Sequence, residues 1–215
     1  MICGVDEAGK GAVLGPMVIA AVGCRNQSDL GKLGIRDSKK LTPARREVLF
    51  EEITASFPVA VTSLSAPDID TLRKRAGLNE ILARAHAGVI GRLAPSCAIV
   101  DACDVNARRY GDSVVSFLPS PCRIIAQHHA DDRHAVVGAA SIVAKVTRDR
   151  EMELLRDEFG PIGSGYPSDP ATITYLTEYI AGHTEPPRCA RTSWKTVATI
   201  MGTLTQSTLA DYSGE

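Results

Sequence analysis

The chain lacks a cysteine pairing pattern, a long apolar run, an internal repeat and any appreciable net charge, and each absence closes a class of function. Six cysteines are present (Cys3, Cys24, Cys97, Cys103, Cys122 and Cys189), but they are dispersed, with no C-x-x-C pair and no zinc-finger spacing. Cys3, Cys97 and Cys122 stand in apolar runs, where a thiol behaves as a small hydrophobe. A reduced, cytoplasmic protein is the expectation. No segment approaches membrane-spanning length, and Asp6 interrupts the apolar start, so neither a membrane anchor nor a secretory leader is expected. With a net charge of -1 over 215 residues, a polyanion can be held only if basic residues gather on one face. Arg45-Arg46, Arg73-Lys74-Arg75, Arg108-Arg109, Arg148/Arg150 and Arg188/Arg191/Lys195 are candidates, although most such clusters are solvated helix faces. No exposed apolar stripe is evident, so a monomer is expected.

What the chain does have is concentrated at its start. Ile2 to Val5 is a short apolar run that stops at two adjacent acids, Asp6 and Glu7, followed by Gly9-Lys10-Gly11. Consecutive strand residues point to opposite faces, so the two carboxylates can converge only if the strand ends there. Carboxylates at a strand end suit a hard divalent cation, and the glycines let backbone N–H groups approach an anion. Cation and anion together indicate phosphate chemistry.

The remaining pattern alternates strands with helices. Strands are expected at Ile2–Val5, Gly15–Val22, Val59–Leu64, Cys97–Val100 and Arg123–Ala126. Thr42 and Pro43 open a helix as N-cap and first residue, with Val48, Leu49 and Ile53 facing inward. Leu78, Ile81, Leu82, Ala85 and Val89 recur at helical spacing. A long helix is expected from Val136 to Phe159, with Ile142, Val143, Val146 and Leu154 inward. Asp37-Ser38-Lys39-Lys40 and Gly163–Pro170 read as loops. Helices near Ala171–Ile180 and Trp194–Met201 precede a frayed polar tail after Gly202. The fold class is α/β with a mixed sheet.

Acids mark three strand ends: Asp6 and Glu7, then Asp101 after Cys97–Val100, then Asp131 and Asp132 after Ile124-Ile125. Functional groups gather at strand ends in open α/β sheets, and neighbouring strands lie about 4.8 Å apart. Two carboxylates about 4 Å apart repel by roughly 4 kcal/mol at an effective dielectric near 20, so such a cluster needs cations or protons. Each acid taken alone can instead be a turn or cap residue, and Asp104 and Asp112 fit that description. A competing motif is Gly4-x-x-x-x-Gly9-Lys10-Gly11, close to a nucleotide-binding phosphate loop. Gly11 stands where a hydroxyl should hold magnesium, and Asp6 and Glu7 would put negative charge inside a phosphate cradle. A binding module whose acids serve only structure is a third possibility, against which the full set of acids argues.

Six motifs in order resemble ribonuclease HII, most closely its archaeal branch, over nearly the whole chain. They are Val5–Gly11, Asp37–Leu41, Val100–Asn106, Ala139–Val146, Gly163–Pro170 and Arg191–Thr196. The resemblance implies an RNase H-like fold, with a catalytic core at about 1–160 and a helical substrate-binding extension at about 161–215. It implies an endonuclease that needs two divalent cations, Mg2+ or Mn2+. Its substrates would be the RNA strand of RNA/DNA hybrids and ribonucleotides embedded in duplex DNA, with 5′-phosphate and 3′-hydroxyl products. The family's four catalytic, metal-binding acids fall on Asp6, Glu7, Asp101 and Asp131, with Asp132 the neighbouring alternative. Asp6 is expected to bridge the ions, with Glu7 and Asp101 on one side and Asp131 on the other. The glycine-basic-glycine element that contacts the ribonucleotide falls on Gly9, Lys10 and Gly11, and the junction tyrosine on Tyr166. Ser141 and Lys145 match phosphate-contacting positions one helical turn apart.

Overall fold

Apolar runs broken by glycine, proline and acids partition the chain into alternating strands and helices. The structure, a computed structural model, describes residues 1–35 and 41–212, with side chains described as far as residue 205. The strands are β1 (Ile2–Ala8), β2 (Met17–Cys24), β3 (Val59–Leu64), β4 (Cys97–Asp101) and β5 (Arg123–Gln127). The helices are α1 (Gln27–Gly31), α2 (Pro43–Ser56), α3 (Ala66–Arg73), α4 (Leu78–Leu93), α5 (Ala107–Ser116), α6 (Ala130–Arg133), α7 (Ala135–Phe159), α8 (Pro170–His183) and α9 (Lys195–Tyr212). The sheet order is β3-β2-β1-β4-β5. β1 pairs antiparallel with β2 and parallel with β4, and β4 pairs parallel with β5, so the sheet is mixed. Among the described residues no helix is long and apolar enough to cross a membrane, and all six cysteines are free.

The chain divides into two compact units, each discontinuous in sequence. One comprises Met1–Ala8, Val18–Ser63 and Ala76–Asp149; the other comprises Gly9–Met17, Leu64–Arg75 and Arg150–Glu215. In the first, the early part of α7 packs Val136, Val137, Ala140 and Val143 with Val18, Ala20 and Val22 of β2 and Leu49 and Ile53 of α2. This approach is close. A Cβ on Gly4 would stand 2.3 Å from the carbonyl carbon of Val136. In the second unit, Val13, Leu14, Met152, Ile162, Leu176, Ile180 and Val197 form a separate apolar cluster.

Thr42 caps α2, its hydroxyl accepting from Arg45 N–H at 3.3 Å. Several expectations need correction. β1 does not stop at the acids, because its pairing with β2 runs on to Ala8↔Val18. Val48 is 48% exposed, since Leu49 and Ile53 alone carry the buried stripe of α2. Leu154 is 68% exposed; in the later part of α7 the second unit's core takes Met152 and Leu155 instead. The backbone stays helical past Gly202 to Tyr212, and Leu204 packs against the apolar cluster rather than fraying. The Asp37-Ser38-Lys39-Lys40 motif lies outside the described residues.

Because Val136 is rigid helix backbone, Gly4→Ala forces strand and helix apart. It should cost about 3 kcal/mol or more in a denaturant titration; an unchanged midpoint would mean that the approach is not tight.

Candidate active site

β1 is flanked unequally. Its parallel pairing with β4 ends at Val5↔Val100, whereas its antiparallel pairing with β2 continues three residues further. Asp6 and Glu7 therefore lie beyond the end of the parallel ladder while still held in a strand. Since the strand continues, their side chains take opposite faces. Asp6 shares the Gly4 face and meets α7, where the Ser141 hydroxyl hydrogen-bonds to it. Glu7 meets α4, with its Oε2 3.5 Å from His86 Nε2. The expected convergence thus comes from the early end of β4, not from an end of β1. Glu7 N–H, past the ladder, donates to Asp6 Oδ1 at 2.8 Å.

The other two acids arrive from the next strands. Asp101 is the last residue of β4 and pairs with Gln127 of β5. The turn after β5 puts His129 in the left-handed region without a side-chain cap for α6. Asp101 Oδ1 supplies the acceptor instead, taking Ala130 N–H at 2.8 Å. That bond seats Asp131 in the first turn of α6, buried, whereas Asp132 is exposed.

Charge records this gathering. Burial, and then the charge of Glu7, pushes the Asp6 carboxyl up to about 8; Ser141 and Lys145 oppose the shift without cancelling it. Burial also raises Asp101, as do the charges of Glu7 and Asp131, against the pull of Ala130 N–H. A set of crowded oxygen donors that its own lysine does not neutralise suits hard divalent cations. Ser141 itself is fully buried, its hydroxyl also touching Lys145 Nζ. It lies beside Asp6, with Lys145 one helical turn further on and half-buried.

The second unit holds the remaining candidates. Gly9, with φ +83°, starts a tight turn closed by Ala12 N–H donating to Gly9 C=O at 3.2 Å. At Gly11 nothing lies within 4 Å of where a Cβ would stand. The segment is anchored by Arg191, fully buried, which donates from Nη1 to Lys10 C=O at 3.2 Å and from Nε to Gly15 C=O at 3.1 Å. Val13 N–H donates to Gly165 C=O at 2.7 Å, tying the turn to the loop that carries half-buried Tyr166. Asp169 braces that loop: Ser164 N–H donates to it at 2.6 Å and Ala171 N–H at 3.0 Å. The bond from Ser164 foremost holds its carboxyl down to about 2. A nucleotide-binding phosphate loop is excluded here, because Gly4 lies inside β1 and the turn leads into β2 rather than a helix N-terminus.

The family model for ribonuclease HII matches residues 3–197. The ribonuclease HII of Methanoregula boonei is 56% identical over 212 residues, covering 99% of this chain and 100% of that protein. The chain belongs to the ribonuclease HII family. Solved ribonuclease HII structures match it closely. The PCNA:RNase HII complex from Archaeoglobus fulgidus aligns with a TM-score of 0.87 at 44% identity, over 93% of this chain and 96% of that one. Ribonuclease H2 from Pyrococcus horikoshii OT3 aligns at 0.88 and 37% identity, over 95% and 99%. The fold is RNase H-like. As a ribonuclease HII the protein is an endoribonuclease, a metal-dependent hydrolase of RNA in RNA/DNA hybrids.

Two neighbours escaped sequence reading. His86 is fully buried beside Glu7, and Cys103 lies with its thiol donating to Glu7 Oε1 at 3.1 Å. For His86 the signal was present: it extends the α4 stripe of Leu82 and Val89 better than half-buried Ala85 does. Cys103, just past β4, had none.

The raised Asp6 carboxyl has a signed consequence. Its proton is favoured in the folded chain, so that contribution is full below the ordinary Asp range and is lost as pH rises through about 8. In chelator, the thermal midpoint should fall between about pH 6 and about pH 9, and fall less in Asp6→Asn. Added Mg2+ or Mn2+ should raise the wild-type midpoint mainly at the higher pH. Equal slopes in both proteins would show that Asp6 carries no such burden.

Proposed function

We propose that Asp6, Glu7, Asp101 and Asp131 hold two divalent cations, Mg2+ or Mn2+. With them the protein hydrolyses the RNA strand of hybrids and also cuts at ribonucleotides embedded in duplex DNA, leaving 5′-phosphate and 3′-hydroxyl ends. The observation carrying this reading is that Asp6 and Asp101, beside the end of the parallel ladder, are both pushed up by burial and by neighbouring acids. When bound, paired cations lower the pKa of water and offset the negative charge that gathers on the phosphate. The side chains do the rest. Ser141 holds Asp6 in one orientation, and Ala130 N–H fixes the plane of Asp101. Lys145 offers positive charge to a backbone phosphate, a contact that weakens with salt.

Selectivity for RNA needs a reader of the 2′-hydroxyl, which both donates and accepts. The turn at Gly9-Lys10-Gly11 begins two residues after Glu7. Its backbone, open at Gly11 and braced by Arg191, suits that contact. Tyr166 packs on the sugar. None of these groups reads base identity, so cutting is independent of sequence. The protein works as a monomer in the cytoplasm, and the Archaeoglobus relative's complex with PCNA supports a PCNA-type protein partner.

Asp101→Asn keeps an oxygen that can accept Ala130 N–H but loses the charge. It should lower Mg2+-dependent cleavage of a labelled hybrid by at least about 10³-fold while folding and binding persist. Unimpaired turnover removes Asp101 from the site, and a wild-type protein that binds hybrid but never cuts it in Mg2+ is a binding module instead. Tyr166→Ala should slow cleavage at a lone embedded ribonucleotide about ten-fold, with a smaller effect on long hybrids. Equal rates for wild type and variant on the lone ribonucleotide would end its role in reading the junction.

A further inference from the structure

Glu7 is bordered on its α4 side by two donors that play no part in the proposed chemistry. Cys103 Sγ stands 3.1 Å from Glu7 Oε1 and His86 Nε2 stands 3.5 Å from Glu7 Oε2. The three donor atoms lie within 4.8 Å of one another. His86 is fully buried, and its Nε2 makes no hydrogen bond. Its other ring nitrogen, Nδ1, is 3.1 Å from the hydroxyl of Tyr110, whose ring meets the imidazole edge-on.

Tetrahedral zinc with bonds of about 2.0 Å to nitrogen and oxygen and about 2.3 Å to sulfur has ligand-to-ligand edges of roughly 3.3–3.5 Å. Cys103 Sγ at 3.1 Å and His86 Nε2 at 3.5 Å stand close to that range, each from a different Glu7 oxygen, so a small movement of the carboxylate is needed to offer one oxygen to both. One sulfur, one imidazole and one carboxylate are also a borderline-soft set, unlike the all-oxygen set that magnesium or manganese prefers. The second shell agrees. Burial holds the Tyr110 phenol protonated, and its oxygen can accept N–H from Nδ1. With a metal bound, that tautomer frees the Nε2 lone pair for ligation beside Glu7 and Cys103.

We propose that Glu7, His86 and Cys103 form a zinc-class site, with one open position, whose occupation withdraws Glu7 from the catalytic acids and arrests the enzyme. This rests on the reading that Glu7 is one of those acids. On binding, the Cys103 thiol proton leaves to solvent and a thiolate–metal bond forms. No redox step is involved. The inhibitor is a borderline-soft divalent cation, acting even against an excess of magnesium.

Co2+ makes the site visible, because thiolate ligation gives a near-ultraviolet charge-transfer band that oxygen-only sites lack. Titrated with Co2+ alone, the full-length protein should develop that band at about one equivalent, and Zn2+ should erase it. Cys103→Ala, near the surface, should fold, cleave hybrid in Mg2+ as before, lack the band and resist Zn2+ at least about ten-fold better. His86→Gln should weaken the band's affinity without removing sulfur. Absence of the band in wild type, or its persistence in Cys103→Ala, overturns the site. A saturated band with full hybrid cleavage overturns the capture of Glu7. Failure of the catalytic reading looks different: no cleavage in Mg2+ by any form, with the cobalt spectrum unaffected.

Discussion

Strand β1 loses one of its two neighbours before it ends, and the chemistry depends on that mismatch. Had β4 continued beside it, backbone pairing would occupy the space beyond Val5, and Asp101 would lie further along the sheet. Had β1 stopped with β4, Asp6 and Glu7 would sit on loose chain. The antiparallel partner β2 keeps both residues in a strand while the parallel side lies open. Rigid backbone and open space are thereby combined, and four acids can be crowded at a cost that divalent ions relieve. Packing serves the same end: Gly4 lets α7 lie close on the sheet, which brings Ser141 beside Asp6.

Opposite faces give the two adjacent acids different company. Asp6 looks to α7, a hydroxyl and a lysine. Glu7 looks to α4, an imidazole and a thiol. One is prepared for hard cations by oxygen neighbours, and the other has softer donors at its back. That asymmetry is built into consecutive residues.

Much of this was legible in the residues. An apolar run that meets an acid singled out Asp6, Glu7 and Asp101 as candidates, although only Asp101 ends its strand, while β1 runs on to Ala8. Asp131 needed the family motif, because only burial on α6 separates it from exposed Asp132. Illegible were the features that depend on a neighbour's length or on long-range packing. Nothing in Ile2–Ala8 tells where β4 will stop. The hydrogen bond from Ser141 to Asp6 depends on how α7 lies on β1, which neither segment shows by itself. The short helices α3 and α5 went unassigned, although Ser65-Ala66-Pro67-Asp68 forms a capping box and Asn106 caps the other. Arg191 looked like one more surface charge; its burial requires two carbonyls supplied from the far end of the sequence.

That arginine also orders events in time. The turn at Gly9-Lys10-Gly11 is among the first parts of the chain to be made, yet the guanidinium that clasps it comes 181 positions later. Asp70 accepts from the backbone N–H groups of Thr192 and Ser193 at 2.7 and 3.0 Å, fastening the clasp's own segment in place. A nascent chain emerging from the ribosome can therefore assemble its early strands while the clasp is still unmade. Truncated products of interrupted translation would carry the first acids with a slack, unclasped turn. Synthesis must be nearly complete before that turn is held in place.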